Sequence, residues 1–97
     1  MHKLAGAAGD DDVEDSQRAE ATASSATAMT DLAMVLQEQG KLSEAEELFR
    51  SALDMRIAVL GPDHPCVALS ASNLSGVLRD QGRRAEATSV MLATMNL

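Results

Sequence analysis

Asp63, His64 and Cys66 place an acid, an imidazole and a thiol within one turn of chain. Such groups can serve nucleophilic catalysis or metal binding. Catalysis, however, needs a nucleophile, a base and an orienting group held together, and the only other histidine is His2. Gly61-Pro62 and Pro65 flank the cluster, so a structural turn is expected there. The acidic run Asp10-Asp11-Asp12-Val13-Glu14-Asp15 lacks the alternating ligands and turn glycine of a calcium loop. No glycine loop suited to phosphate occurs. Cys66 is the only cysteine, which excludes an internal disulfide and a cysteine-based metal framework. The expectation is a non-enzyme with no catalytic residue, no cofactor and no metal.

Composition narrows the class further. The formal net charge of −7 weighs against nucleic acid and against an anionic membrane surface. The opening residues are too weakly apolar for a signal-peptide core, and no run approaches the ~18 apolar residues of a membrane span. A reducing, soluble compartment is expected, with the cytoplasm as the default. Phe49 is the only aromatic residue, and Leu, Val, Met and Ala supply the apolar set. That mixture suits helix–helix packing, so the predicted class is all-α.

The elements that would position these residues repeat. Asp31-Leu32-Ala33-Met34-Val35-Leu36-Gln37-Glu38-Gln39-Gly40-Lys41 returns forty-two residues later as Asn73-Leu74-Ser75-Gly76-Val77-Leu78-Arg79-Asp80-Gln81-Gly82-Arg83. Glu44-Ala45 returns as Glu86-Ala87, Leu48 as Val90 and Phe49 as Met91. A period of ~20–50 residues marks stacked supersecondary units. Residues 1–23 form an acidic N-terminal arm, predicted to be disordered or partly helical. Residues 24–62 are expected to form the first repeat and 63–97 the second, the latter either complete or truncated.

Helical spacing begins from Ala19, and Ala26, Met29, Ala33 and Leu36 or Leu32 line one face, with Ser24 or Ser25 as N-cap unless the alanine-rich stretch upstream starts the helix earlier. Gly40 ends that helix. Ser43 and Glu46 form a capping-box pattern for a second helix, which stops at Gly61-Pro62. A third helix starts at Asp63-His64-Pro65 and stops at Gly82; a fourth opens at Arg84-Ala85-Glu86-Ala87. Ala33, Ala45, Ser75 and Ala87 are small where paired helices must approach, while Leu32, Leu36, Phe49 and Leu53 fill the space beside them.

Leu32-Ala33, Leu36, Gly40, Leu42, Ala45, Phe49 and Ala52-Leu53, with their second-copy counterparts, resemble the tetratricopeptide repeat. The linker Leu60-Gly61-Pro62-Asp63-His64-Pro65 and the pair Asn73-Leu74 resemble its kinesin light chain class. The resemblance implies a short right-handed α-solenoid whose first helices line a groove for a peptide of a protein partner. By position, that groove would hold Thr27, Thr30, Asp31, Met34, Gln37 and Glu38, then Leu69, Ser72, Asn73, Gly76, Arg79 and Asp80. Asn73 is the leading candidate, because an amide both donates to and accepts from a peptide backbone. No Lys/Arg set suited to a terminal carboxylate is present. The alternative is a fragment, or a self-associating unit, of a longer scaffold. Two repeats fall below the roughly three usually needed for stability. Val90, Met91, Leu92, Met95 and Leu97 would give the fourth helix an apolar face for a homo-oligomer.

Overall fold

The computed structural model describes residues 2–95, and side chains within residues 20–94. Four helices follow in order: α1 (His2–Glu38), α2 (Leu42–Leu60), α3 (Pro65–Asp80) and α4 (Arg84–Met95). Each packs on the next, α1 on α2, α2 on α3 and α3 on α4. Short connections make successive helices antiparallel. The expected all-α architecture of two tandem helix-turn-helix units is therefore the one observed. α1 begins well before Ser24, through the alanine-rich stretch, and the arm boundary after residue 23 falls inside it. Its 37 residues span about 55 Å at the α-helical rise, most of the 61 Å long axis.

The two repeats use the same turn, bond for bond. After α1, Gly40 N–H donates to Gln37 C=O at 3.0 Å and Lys41 N–H to Leu36 C=O at 2.8 Å. After α3, Gly82 N–H donates to Arg79 C=O and Arg83 N–H to Leu78 C=O, both at 2.9 Å. This is the Schellman closure, which satisfies carbonyls that the helix end leaves unpaired. It needs a left-handed residue, and Gly40 (φ 81°) and Gly82 (φ 80°) supply it. Lys41 is already engaged there, so α2 starts at Leu42 with Lys41 at the N-cap and no side-chain cap. The Ser43 capping box is thus not formed. Ser43 lies inside the first turn, and Glu46 reaches outward to other partners.

The core is one continuous cluster: Ala33, Ala45, Phe49, Leu53, Val67, Ala71, Leu74, Val77, Leu78 and Ala87. The four small seam residues are all buried, as expected. Ser75 explains why a hydroxyl is tolerated in that seam: its Oγ donates to the Ala87 carbonyl at 2.9 Å, joining α3 to α4. Val90 and Met91 pack against the cluster, whereas Leu92 is exposed. Met29 and Met55 are half-buried, and the side chains of Met95 and Leu97 lie outside the described residues.

One core expectation requires correction. Leu32 is 52 % exposed, although its repeat counterpart Leu74 is 0 % exposed. Val35 is likewise exposed and Val77 buried. The cause is position in the stack: α3 has α2 before it, whereas no described helix precedes α1. Leu74→Ala is therefore expected to destabilise the fold by about 2–5 kcal/mol, against under about 1 kcal/mol for Leu32→Ala. Urea unfolding of the two variants measures both.

Candidate functional site

Two stripes of side chains lie together where α1 meets α3. Gln37 Nε2 on α1 donates to Asp80 Oδ2 on α3 at 2.8 Å. Gly76 sits one turn back from Asp80, and a Cβ placed there would come 4.0 Å from the same Gln37 nitrogen. On α3, residues 69, 73, 76 and 80 follow helical spacing, so Leu69 and Asn73 share the stripe that ends at Asp80. On α1, Met34 and Gln37 share the neighbouring one. Gln37 of the first copy is thus brought beside Gly76 and Asp80 of the second.

Their individual environments differ. Met34 is 47 % exposed and Leu69 60 %, both large apolar side chains facing water. Asp31, Glu38, Ser72 and Arg79 are exposed, whereas Gly76 and Asn73 are half-buried. Among the described hydrogen bonds, none uses the Asn73 amide. Thr30 is buried, and its hydroxyl donates to the Ala26 carbonyl at 2.8 Å, so it offers little to a ligand. Thr27 donates to the Ala23 carbonyl at 3.0 Å and accepts from Arg56 at 3.3 Å. Arg56 also donates to Ser70 Oγ at 2.6 Å, so one α2 guanidinium ties α1 to α3. Beside it, Thr22, Ala23, Met55, Val59, Leu60 and Cys66 border a cleft of about 90 Å³.

The Asp63–Cys66 segment is a helix start. His64 is the N-cap of α3, its Nδ1 accepting from Cys66 N–H at 3.0 Å, with Pro65 in the first turn. The imidazole nitrogen that could act as a base is thereby turned toward the backbone. Among the described residues, no group of three His, Cys, Asp or Glu is placed to hold a metal ion.

The strongest polar cluster lies between the repeats, and the sequence reading missed it. The Glu46 side chain is only 14 % exposed. Its Oε1 accepts from Arg83 at 2.6 Å and Gln81 Nε2 at 3.0 Å, and its Oε2 accepts from Arg50 at 2.9 Å. Gln81 Nε2 also reaches the Leu42 carbonyl at 3.4 Å, and Arg83 pairs with Glu86 as well. Burial alone pushes the Glu46 carboxyl up. Hydrogen bonds from Arg50, Gln81 and Arg83 outweigh it and hold the carboxyl at about 2. Arg83 holds Glu86 low too, against a smaller upward push from burial. Locally, Ser43 to Glu46 looks like a cap. Only the partners thirty-five and thirty-seven residues on distinguish the two roles.

Because the folded value lies below the ordinary 4.5, this carboxylate stabilises the fold fully above pH 4.5. The contribution fades as pH falls from there through about 2. After allowance for solvent screening at Arg83, Glu46→Gln is expected to cost about 2 kcal/mol at neutral pH. It should also flatten the stability profile across that acid window, as read by thermal melts from pH 2 to 7.

A family model described as Tetratricopeptide repeat matches residues 24–94, well over half of the chain. No curated protein matches it. With the repeated turn and the alternating helices, the match shows that the chain belongs to the tetratricopeptide repeat family, whose members generally mediate protein–protein interaction.

Proposed function

We propose that this tetratricopeptide repeat chain is a non-enzymatic interaction module that binds a peptide segment of a partner protein along α1 and α3. The observation that carries the proposal is the uncommitted, half-buried amide of Asn73 on a stripe that the Gln37–Asp80 bond aligns with Met34. An extended peptide has one donor and one acceptor per residue, and a carboxamide can meet both. Met34 and Leu69 then offer apolar contact on either helix, and methionine adapts to varied side chains. Asp31, Glu38, Ser72 and Arg79 are further exposed candidates; Gln37 and Asp80 brace the stripes, and Thr30 is left to the core.

The length of α2 and the Gly61–Pro65 linker support placement in the kinesin light chain-like class. That likeness concerns the repeat and not a motor role. The acidic balance fits a protein partner rather than nucleic acid or a membrane surface, and a cytoplasmic setting fits the single exposed cysteine. Among the described residues, no helix is long and apolar enough to cross a membrane.

A peptide-array screen followed by titration tests the groove. Asn73→Ala should weaken a selected peptide about 2–10-fold, the worth of one or two hydrogen bonds. Met34→Glu should weaken it further, with helicity unchanged in both variants. Binding indifferent to both changes would remove the proposal.

A further inference from the structure

The two ends of this molecule match the two sides of its own middle interface. In the middle, α2 receives α3: Arg56 holds Ser70, the Leu42 carbonyl and Glu46 hold Gln81, and Leu74 and Val77 lie on the stripe between. Gln37 meets Asp80 at the edge. Moved back by one repeat, Ser70, Leu74, Val77 and Gln81 become Ala28, Leu32, Val35 and Gln39 on α1. All four are exposed. Moved forward, Gln37, Leu42, Ala45, Glu46, Phe49 and Arg50 become Arg79, Arg84, Ala87, Thr88, Met91 and Leu92. These six line an open cavity of about 430 Å³ against α3 and α4.

We infer that this cavity is a seat for α1 of a second copy of the chain, in a head-to-tail contact that repeats the α2–α3 packing. The surfaces are offset in the molecule as the internal ones are, one on the first helix and one on the last. Charge supports the pairing: the counterpart of the Gln37–Asp80 bond is Arg79 of one copy facing Glu38 of the next, a cation against a carboxylate, both exposed. The counterpart of the Glu46 cluster is Thr88 facing Gln39 and Lys41, so the carboxylate is missing there. The docking keeps the apolar seam and gains an ion pair, but lacks the polar clamp. It is therefore a reversible association, weaker than the internal interface. A heterologous contact of this kind leaves a free head and tail, and it grows with concentration rather than closing as a pair. The peptide proposal does not enter this inference: its seam is Leu32, Val35, Ala87, Thr88 and Met91, outside the groove, and only Glu38 and Arg79 are common to both surfaces.

Sedimentation equilibrium of the full chain across a wide concentration range, at about 0.15 M salt, tests it. The expected result is an average mass that rises past the dimer. Leu32→Arg blocks the head and Thr88→Arg the tail, so each variant alone should be monomeric and an equimolar mixture should form a 1:1 pair. Thr88→Glu restores the missing carboxylate opposite Gln39 and Lys41 and should shift association to lower concentration. Circular dichroism checks that these exposed-site variants keep their helicity. A wild-type chain that stays monomeric throughout overturns the inference. So does a dimer that Leu32→Arg leaves intact, since that would be α4 meeting α4. Failure of the peptide screen would leave these outcomes unaffected.

Discussion

Everything in this fold depends on how closely paired helices approach at Ala33 and Ala45, and again at Ser75 and Ala87. All four are buried, and Ser75 turns its hydroxyl into a bond to the Ala87 carbonyl rather than leaving a polar atom stranded. A larger side chain there would separate the helices and open the cluster around Phe49, Leu74 and Leu78. The glycine turns are secondary to this seam. They set where each hairpin reverses, and the seam sets how tightly it closes.

Joining one hairpin to the next needs a different kind of contact. Leucine and valine surfaces tolerate sliding, because burial is not directional. Hydrogen bonds are directional, and Arg56 and Glu46 supply them at two places along α2, ten residues apart. One guanidinium fixes the N-terminal half of α3, and one carboxylate fixes its C-terminal end. Between them they set the register of the second repeat on the first. The same register sets Gln37 against Asp80, so the proposed binding surface on α1 and α3 depends on residues of α2.

The helices, turns and small-residue seam were legible because they rest on local signals: spacing of apolar residues, glycine after the last turn, proline in the first. The assignment of His64 to a turn rested on the same kind of signal, and the N-cap bears it out. Glu46 was misread for the opposite reason. Its spacing from Ser43 fits a cap, while its actual partners come from the next repeat, which no local pattern announces. Thr30 illustrates a related limit. Its counterpart Ser72 is exposed, whereas Thr30 is buried and spends its hydroxyl on the Ala26 carbonyl of its own helix. In a stack, sequence position within the repeat fixes direction, and neighbours fix burial.

That separation between direction and burial bears on how the two proposed surfaces coexist. Leu32 and Met34 are two residues apart on α1, about 200° around the helix axis. A second copy seated on Leu32 and Val35 would leave Met34 and the α3 stripe uncovered. It would also set the α3 of one copy next to the α1 of the following one, as α1 and α3 stand within a chain. A longer array would then carry a longer groove. A peptide spanning several copies would bind with an effective concentration set by their spacing, so weak contacts at each Asn73 could sum to a tight complex. In this arrangement the modest affinity of each contact is what makes assembly and peptide capture reversible together.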